Sequence, residues 1–313
     1  MISGCVECRH GSRALRLYIE MRDQNVNPNK FIYSCVLKAC SSVTAQKEGE
    51  LIHDHVIRTG LESELIVGSA IVDMYAKCGM LAKASDFFNE LPVRDVVTWN
   101  AMLSAYIEQG QEEDALLLQP TMQDEGVSSN ERTLVIALQA CYMLADKTMR
   151  DTSLQEKENK ETILNVGRTL HMDACFKGFE LGVFVGNSLV NMYGKCGRIS
   201  EAEYVFRCNM PIRNVVSWTL LLSIYMEQEE ENKVLLAYRQ MQEEGVSPND
   251  LTLVCVLKAC GSIRAIDKGR EISKEIPVEK LRGNIVLGNT LVDMYAKCGA
   301  LLEAQEVFDN LIV

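Results

Sequence analysis

No stretch of this sequence approaches the roughly 18 uninterrupted apolar residues of a membrane-spanning helix, so we expect no membrane segment. The first residues, MISGCVECRHGSRAL, contain neither the apolar run of a secretory signal nor the long Arg- and Ser-rich stretch of an organelle transit peptide. Prolines are few, six in 313 residues, and alternating β-branched runs are scarce. These absences favour helices over strands.

Positive charge is also in short supply. The chain has 32 Lys and Arg residues against 43 Asp and Glu residues, a formal net charge of −11. This balance argues against a broad basic surface that grips phosphates regardless of sequence. Apolar residues make up 47% of the chain, which is enough for a hydrophobic core.

The residues that would hold a metal or carry out catalysis are not arranged for it. The twelve cysteines, without a secretory signal, indicate reduced thiols rather than a disulfide framework. Cys5 and Cys8 form the one CxxC pair, and no second pair follows to complete a zinc site. Zinc nucleobase deaminases need a His followed two residues later by Glu, and none of the four histidines has one: His10, His53, His55 and His171. We therefore expect no metal, no cofactor and no enzymatic activity.

The chain does have a clear internal period. The string DMYAKCG at 73–79 returns as NMYGKCG at 191–197 and as DMYAKCG at 293–299. Finer similarities, such as CVLKAC occurring twice, divide the chain into seven complete repeats and two partial ones. The repeats are 1–29, 30–64, 65–95, 96–130, 131–182, 183–214, 215–249, 250–284 and 285–313. Because both ends fall inside a repeat, we expect a truncated chain.

Each repeat has the apolar pattern of two short amphipathic helices. In the first helix the apolar side chains follow the spacing i, i+3, i+4 and i+7, as in Trp99, Met102, Leu103 and Tyr106. One hairpin cannot bury such a stripe, but stacked hairpins bury it against their neighbours. The pattern predicts an all-α fold, an α-solenoid of helix-turn-helix repeats of about 31–35 residues, with Trp99 and Trp218 in its core.

Two local irregularities stand out against this period. Repeat 131–182 contains an insertion at about 147–163, KTMRDTSLQEKENKETI, which is charged and poor in apolar residues. We expect it to be a solvated surface loop between the two helices of that repeat. Pro120 lies within a predicted second helix and should kink it.

These landmarks resemble the pentatricopeptide repeat family, in the plant subclass that alternates P, L and S repeat types. VVTWNAMLSAYIEQG resembles the P type, CVLKACGS with GRTLH the L type, and VGNTLVDMYAKCG with EAQEVFDN the S type. The order is a partial P, then L, S, P, L, S, P, L, and a partial S. The resemblance implies a right-handed superhelix that binds single-stranded RNA, one base per repeat. It also implies a mitochondrial or plastid protein that acts in RNA editing or processing.

In that family the fifth residue of the first helix and the last residue of the repeat select the base together. The corresponding residues here are Ser69 with Asp95, Asn100 with Asn130, Asn187 with Asn214, Thr219 with Asn249, and Asn289 in the last partial repeat. By the family's code these pairs read guanine, pyrimidine, pyrimidine, adenine and pyrimidine. The L repeats do not fit the code, so the expected RNA pattern is gapped: 5′-G-Y-x-Y-A-x-Y, where Y is a pyrimidine.

The second residue of each repeat resembles the family's contact to the faces of the bases. These residues are Ile66, Val97, Phe184, Val216 and Val286, whereas Arg132 departs from the apolar pattern. A single Asn or Thr on a helix is more often an ordinary exposed side chain. Its recurrence at one position, flanked by apolar residues, favours a function.

Two questions remain open at this stage. Editing factors of this subclass often carry a C-terminal deaminase domain, which the resemblance does not extend to here, so a deaminase or another editing protein would have to act in trans. The rival hypothesis is a protein-binding scaffold of tetratricopeptide type, which the acidic charge would suit. Against it, the W-x₂-L-G-x₂-Y opening of that family is missing.

Overall fold

In the computed structural model, residues 1–8, 10–148 and 154–312 are described, and within these ranges the chain forms helices and no strands. The helices are α1 (Ile2–Glu7), α2 (Gly11–Asp23), α3 (Lys30–Val43), α4 (Gln46–Thr59), α5 (Leu65–Lys77), α6 (Leu81–Glu90), α7 (Val96–Glu108), α8 (Glu112–Asp124), α9 (Glu131–Thr148), α10 (Leu154–Lys177), α11 (Val183–Lys195), α12 (Ile199–Tyr204), α13 (Val215–Glu227), α14 (Glu231–Glu243), α15 (Asp250–Ser262), α16 (Ile266–Lys274), α17 (Val278–Gly283), α18 (Ile285–Lys297) and α19 (Leu301–Ile312). A π-helical turn, Val205–Asn209, follows α12 directly.

The first helices of the repeats begin where the sequence period places the start of each repeat. Helices α3, α5, α7, α9, α11, α13, α15 and α18 start at residues 30, 65, 96, 131, 183, 215, 250 and 285. The chain divides into two compact bodies, residues 1–144 and 145–313. Within the first body α3, α5 and α7 pack in succession, and within the second α11, α13, α15 and α18 do the same.

The apolar stripes of these helices form the core, because each hairpin covers the stripe of the next. Trp99 and Trp218 are each only 1% exposed, and both pack edge-on against a phenylalanine of the preceding second helix. The prediction that these tryptophans belong to the core is therefore confirmed. Neither ring is available for stacking on a base.

A close contact between methionine and glycine explains one of the sequence landmarks. The methionine of the DMYAKCG motif, Met74 or Met294, lies over a glycine in the second helix of the preceding repeat, Gly49 or Gly269. A Cβ on these glycines would come within 2.4 and 2.5 Å of the methionine Sδ. Any larger residue there would therefore require the methionine side chain to move.

The structure corrects the expectation for the 147–163 insertion. Residues 147–148 belong to α9 and residues 154–163 to α10, so most of this segment is helical rather than a loop. Residues 149–153 lie outside the described residues. The physical reason is that Gln, Glu and Lys, which dominate 154–163, are strong helix formers. Their polarity indicates solvation, not the absence of helix.

Two prolines act differently from each other. Pro120 lies inside α8, which continues to Asp124. Pro277 instead separates α16 from α17 and occupies the N-cap position of α17. Because proline disfavours helical backbone in the residue before it, repeat 250–284 has two short helices where the other repeats have one.

Candidate functional site

The last residue of six repeats caps the first helix of the next repeat: Asn29, Asn284 and four predicted site residues. The side-chain Oδ1 of Asp95, Asn130, Asn214 and Asn249 accepts a hydrogen bond from the backbone N–H three residues later, at 2.9, 2.9, 3.0 and 2.8 Å. Asn and Asp are preferred at such N-caps, because their short side chains satisfy an N–H that lacks a partner within the helix. The residue types at these positions therefore have a structural cause as well as any role in recognition.

In three repeats the structure brings this cap against the fifth residue of the same repeat. Asn100 Nδ2 donates to Asn130 Oδ1 at 3.2 Å. Thr219 Oγ1 lies 3.4 Å from Asn249 Oδ1. The Oγ of Ser69 lies 3.5 Å from Asp95 Oδ1, the longest of the three separations. Residues 26 to 30 positions apart in the sequence thus form adjacent polar pairs.

A third residue, absent from the sequence-based prediction, completes each of these pairs. It is the third residue of the following first helix, and we call its side-chain hydroxyl the third-position hydroxyl: Thr98, Thr133 and Thr252. The three hydroxyls lie 2.6, 2.7 and 2.7 Å from the side chains of Ser69, Asn100 and Thr219. All three threonines are completely buried. The signal was present in the sequence as Asx-x-x-Thr, the pattern of an N-cap followed by a hydroxyl in the first turn.

The pair Asn187 and Asn214 is built differently. Its third-position residue is Ser217, whose hydroxyl bonds Asn214 Oδ1 at 3.2 Å. The Oδ1 of Asn187 is buried and has no hydrogen-bond partner among the described residues. Asn289, in the last partial repeat, is exposed on α18.

The fifth residues are less accessible than their predicted role suggests. Asn100 is 4% exposed and Thr219 is 8% exposed, although a residue that reads a base has to be accessible to it. The cause is the first turn of the next repeat, which packs directly against these side chains. Only a small part of each is left to meet a ligand.

The second residue of each repeat has the opposite environment. Ile66, Val97, Phe184, Val216 and Val286 are between 46% and 72% exposed. The same position in two L repeats holds Phe31 and Leu251, equally exposed, which the sequence analysis did not single out. Arg132 is exposed at this position as well. A row of apolar side chains at one repeated position, outside the core, is a surface suited to flat apolar groups.

In the first body these positions converge on one groove of about 720 Å³. Six of its lining residues are among the predicted site residues: Ile66, Ser69, Asp95, Val97, Asn100 and Asn130. Three cations, Lys38, Lys77 and Arg132, line the same groove. Lys77 pairs with Asp73 at 2.8 Å. Lys38 and Arg132 make no ion pair with any residue that the structure describes. The groove therefore combines polar pairs, exposed apolar side chains and positive charge.

Two histidines and one cysteine lie partly or fully buried among the helices. His53 Nδ1 lies 2.7 Å from the Tyr75 hydroxyl, and His171 Nδ1 lies 2.9 Å from that of Tyr193. Burial lowers the pKa of both histidines, so each favours the neutral ring. Burial also raises the pKa of the Cys40 thiol to about 12, which leaves it protonated and unreactive.

In the part of the chain that the structure describes, no group of three or more His, Cys, Asp or Glu side chains is arranged to hold a metal ion. None of the helices described combines the length and the apolar character that a membrane crossing requires.

Comparison with known proteins identifies the repeats. The model of the PPR repeat family matches residues 94–143 and 213–262, and the PPR repeat model matches 1–26, 69–96, 187–208 and 289–313. Together these segments cover more than half of the chain.

Curated relatives align over almost the whole chain. One chloroplastic pentatricopeptide repeat-containing protein of Arabidopsis thaliana is 32% identical over 311 residues, which is 99% of this chain and 48% of the relative. A second from the same plant is 31% identical over 312 residues, which is 99% of this chain and 34% of the relative. The chain thus spans about half or less of the length of these relatives.

A solved structure shows the same fold. The crystal structure of the pentatricopeptide repeat protein PPR10 from maize aligns with a TM-score of 0.54 at 16% identity, over 99% of this chain and 52% of that one. The predicted all-α fold of the α-solenoid class is confirmed. With the family models matched along the repeats and helical hairpins at the same positions, this chain belongs to the pentatricopeptide repeat family.

Proposed function

We propose that this chain binds single-stranded RNA sequence-specifically, with one base read by each complete P or S repeat and one by Asn289 in the last partial repeat. The observation that carries the proposal is the repeated combination of a polar pair with an exposed apolar neighbour, as in Asn100, Asn130 and Val97. An apolar side chain can contact the face of a base while a polar pair meets its edge. The two requirements of base recognition thus meet at one position in successive repeats.

The chemistry of the pairs supports different bases. Asp95 uses Oδ1 as the helix cap, and its other carboxylate oxygen has no partner among the described residues. An acceptor of this kind suits guanine, which presents N–H donors on its Watson–Crick edge. Asn100 and Asn249 instead carry amide N–H groups, which suit the ring and carbonyl acceptors of the other bases.

We infer the gapped pattern 5′-G-Y-x-Y-A-x-Y for the RNA, with Asn187–Asn214 and Asn289 as further pyrimidine readers. The order of repeat types supports assignment to the plant subclass with P, L and S repeats. Within that subclass the chain would serve as a non-catalytic specificity factor for organellar RNA editing or processing, with any deaminase supplied in trans. Curated relatives named chloroplastic support a location in an organelle.

A binding selection from a random single-stranded RNA pool tests the proposal directly. We expect enrichment of sequences in which G, pyrimidine, pyrimidine and A stand at the first, second, fourth and fifth positions of a seven-base window. Binding without enrichment of any base would contradict base reading. Failure to bind RNA at all would favour the protein-binding scaffold.

A further inference from the structure

A backbone N–H determines which atom is the donor in each hydrogen bond around Asn100. The backbone N–H of Thr133 can only donate, and it donates to Asn130 Oδ1. The atom of Asn100 that lies 3.2 Å from this same oxygen must therefore be the donor Nδ2. The opposite atom, Asn100 Oδ1, then faces the Thr133 hydroxyl at 2.7 Å and accepts its hydrogen bond, in preference to Asn130 Oδ1 at 3.0 Å from the same hydroxyl.

These hydrogen bonds fix the orientation of the Asn100 side-chain amide. Its Oδ1 accepts a hydrogen bond from the Thr133 hydroxyl, and one of its two amide hydrogens is given to Asn130. The second amide hydrogen is left for a ligand. The repeat 96–130 therefore presents a donor on Asn100 Nδ2, and the amide cannot flip to exchange Nδ2 with Oδ1 unless the network breaks.

We propose that the third-position hydroxyl is a positioning residue for base recognition: it holds the fifth residue in one hydrogen-bonding orientation and so sets which base edge the preceding repeat accepts. The proposal rests on the proposed function and adds to it a residue that belongs to the next repeat. Each base would then be read by three residues, of which the third lies in the first turn of the following helix.

In the repeat 215–249 the third-position hydroxyl also contacts the fifth residue, but there the fifth residue is left as an acceptor. Thr219 Oγ1 donates to the backbone carbonyl of Val215 at 2.7 Å, so its single proton is used. Of these two hydroxyls only that of Thr252, 2.7 Å from Thr219 Oγ1, then has a proton to donate across this contact, and the shorter distance favours it over Asn249 Oδ1 at 2.9 Å. Thr219 is left with acceptor capacity, where Asn100 is left with a donor. This difference suits a purine amino group at one position and a pyrimidine acceptor at the other.

The repeat 183–214 provides an internal comparison. It has the same Asn–Asn pair as 96–130, but Ser217 bonds Asn214 and makes no hydrogen bond to Asn187. The Oδ1 of Asn187 has no partner among the described residues, so nothing there selects one amide orientation. We expect this repeat to discriminate less between bases than 96–130 does, although the two pairs are identical.

The test uses the full chain and single-stranded RNAs that carry the G-Y-x-Y-A-x-Y pattern and differ only at the second, fourth or fifth base. Thr133→Val removes the hydroxyl while keeping the shape of the side chain. It should lower the preference for C over A at the second base by about three- to tenfold and leave the fifth base unaffected. Thr252→Val should lower the preference for A over C at the fifth base and leave the second base unaffected. Ser217→Ala, which removes a hydroxyl from the same turn, should change neither preference, nor that at the fourth base.

Thermal unfolding followed by circular dichroism measures the stability of the three variants, so that a change in base preference can be separated from a loss of folding. An equal loss of affinity for every RNA, with base preferences unchanged, would overturn the inference and leave the hydroxyls as helix caps only. A wild-type chain without any base preference would overturn the proposed function first, and the inference with it. Because Thr133→Val removes buried hydrogen bonds, Ser217→Thr gives an independent measurement. It should raise discrimination at the fourth base, and an unchanged preference there would count against the proposal.

Discussion

At the scale of single residues, the residues that would read bases are also residues that hold the helices together. Asn130 and Asn249 each accept a backbone N–H as an N-cap and contact the fifth residue of their own repeat. Replacing an N-cap Asn by Ala usually costs about 0.5–2 kcal/mol of stability. Loss of RNA binding in such a variant would therefore not by itself identify a base contact, and the fifth residue is the better place to test recognition.

Thr219→Asn is the substitution that separates recognition from folding. Thr219 is buried, yet Asn100 occupies the equivalent position with the equivalent partners Asn130 and Thr133, so an Asn side chain fits there. We expect a loss of stability below about 1.5 kcal/mol, the scale of one hydrogen bond. Preference at the fifth base should move from A towards C by about 1–3 kcal/mol, the range for one base-edge contact.

The measurement is a competition between two RNAs that differ only at that base, at fixed salt concentration. Asn100→Thr is the matched reciprocal variant, and it should move the second base from C towards A. If both variants retain the wild-type preferences, the fifth residue does not read the base.

At the scale of secondary-structure elements, the turn after the first helix of the S repeats and the complete P repeats has left-handed backbone. Gly79, Gly110, Gly197 and Gly299 supply it, with φ between 72° and 77°. In repeat 215–249 the same place is held by Glu229, at φ 57°. A residue with a Cβ is strained in this conformation by about 1–2 kcal/mol.

Glu229→Gly should therefore stabilise the chain. Relief of strain is partly offset by the greater freedom of glycine in the unfolded state, so we expect a net gain of about 0.5–1 kcal/mol. Gly197→Ala is the matched control, because open space surrounds Gly197 and an added methyl group meets only the strained backbone. It should destabilise the chain. Chemical denaturation of both variants checks the pair, and equal midpoints for wild type and Glu229→Gly would refute the strain.

The histidines in the second helices of two L repeats predict a dependence of stability on pH. Burial lowers the pKa of His53 and His171 below the usual 6.5, although Glu62 and Glu180 nearby oppose the shift. The unfolded chain therefore binds protons more readily than the folded chain. Their neutral rings contribute fully to stability above pH 6.5, and this contribution is lost as the pH falls below that value.

Urea denaturation at pH 7.5 and pH 5.5 measures this effect. The wild type should lose stability between the two values, and the double variant His53→Gln with His171→Gln should lose less over the same interval. His55, whose pKa is also lowered by burial and by Arg22, stays in both proteins and contributes equally. An identical loss in the two proteins would assign the pH dependence to other groups.

At the scale of the whole molecule, the net charge of −11 opposes the approach of a polyanion. Phosphate contacts usually supply much of the affinity for nucleic acids, and base edges supply the specificity. Many basic side chains among the described residues are paired with carboxylates, as in Lys83 with Glu50 and Arg213 with Glu244. We therefore expect weak binding that depends on a few cations in the groove.

Lys38→Gln and Arg132→Gln test this expectation. A plot of the logarithm of the binding constant against the logarithm of salt concentration should become shallower by about 0.7 for each phosphate contact removed. Base preferences should stay as in the wild type. Lys83→Gln, outside the groove, is the control and should leave the slope unchanged. A slope that no groove variant alters would place the phosphates elsewhere.

The sequence by itself determined the fold class and the start of every first helix, because period, apolar spacing and cap residues are local signals that recur. The family resemblance indicated five of the exposed apolar residues at position two and missed Phe31 and Leu251, which lie in L repeats. Composition misjudged the 147–163 segment, because polarity reports solvation and not backbone conformation.

Only the tertiary structure decided which hydrogen bonds the polar pairs form. Asn100–Asn130 and Asn187–Asn214 are identical in sequence, yet the first is joined by Thr133 into a closed network, whereas in the second Asn187 lacks a partner for its buried oxygen. That difference depends on which hydroxyl of the next repeat reaches across the junction. Hydrogen bonds are made or missed within a few tenths of an ångström, a distance set by helix packing rather than by the spacing of residues along the chain.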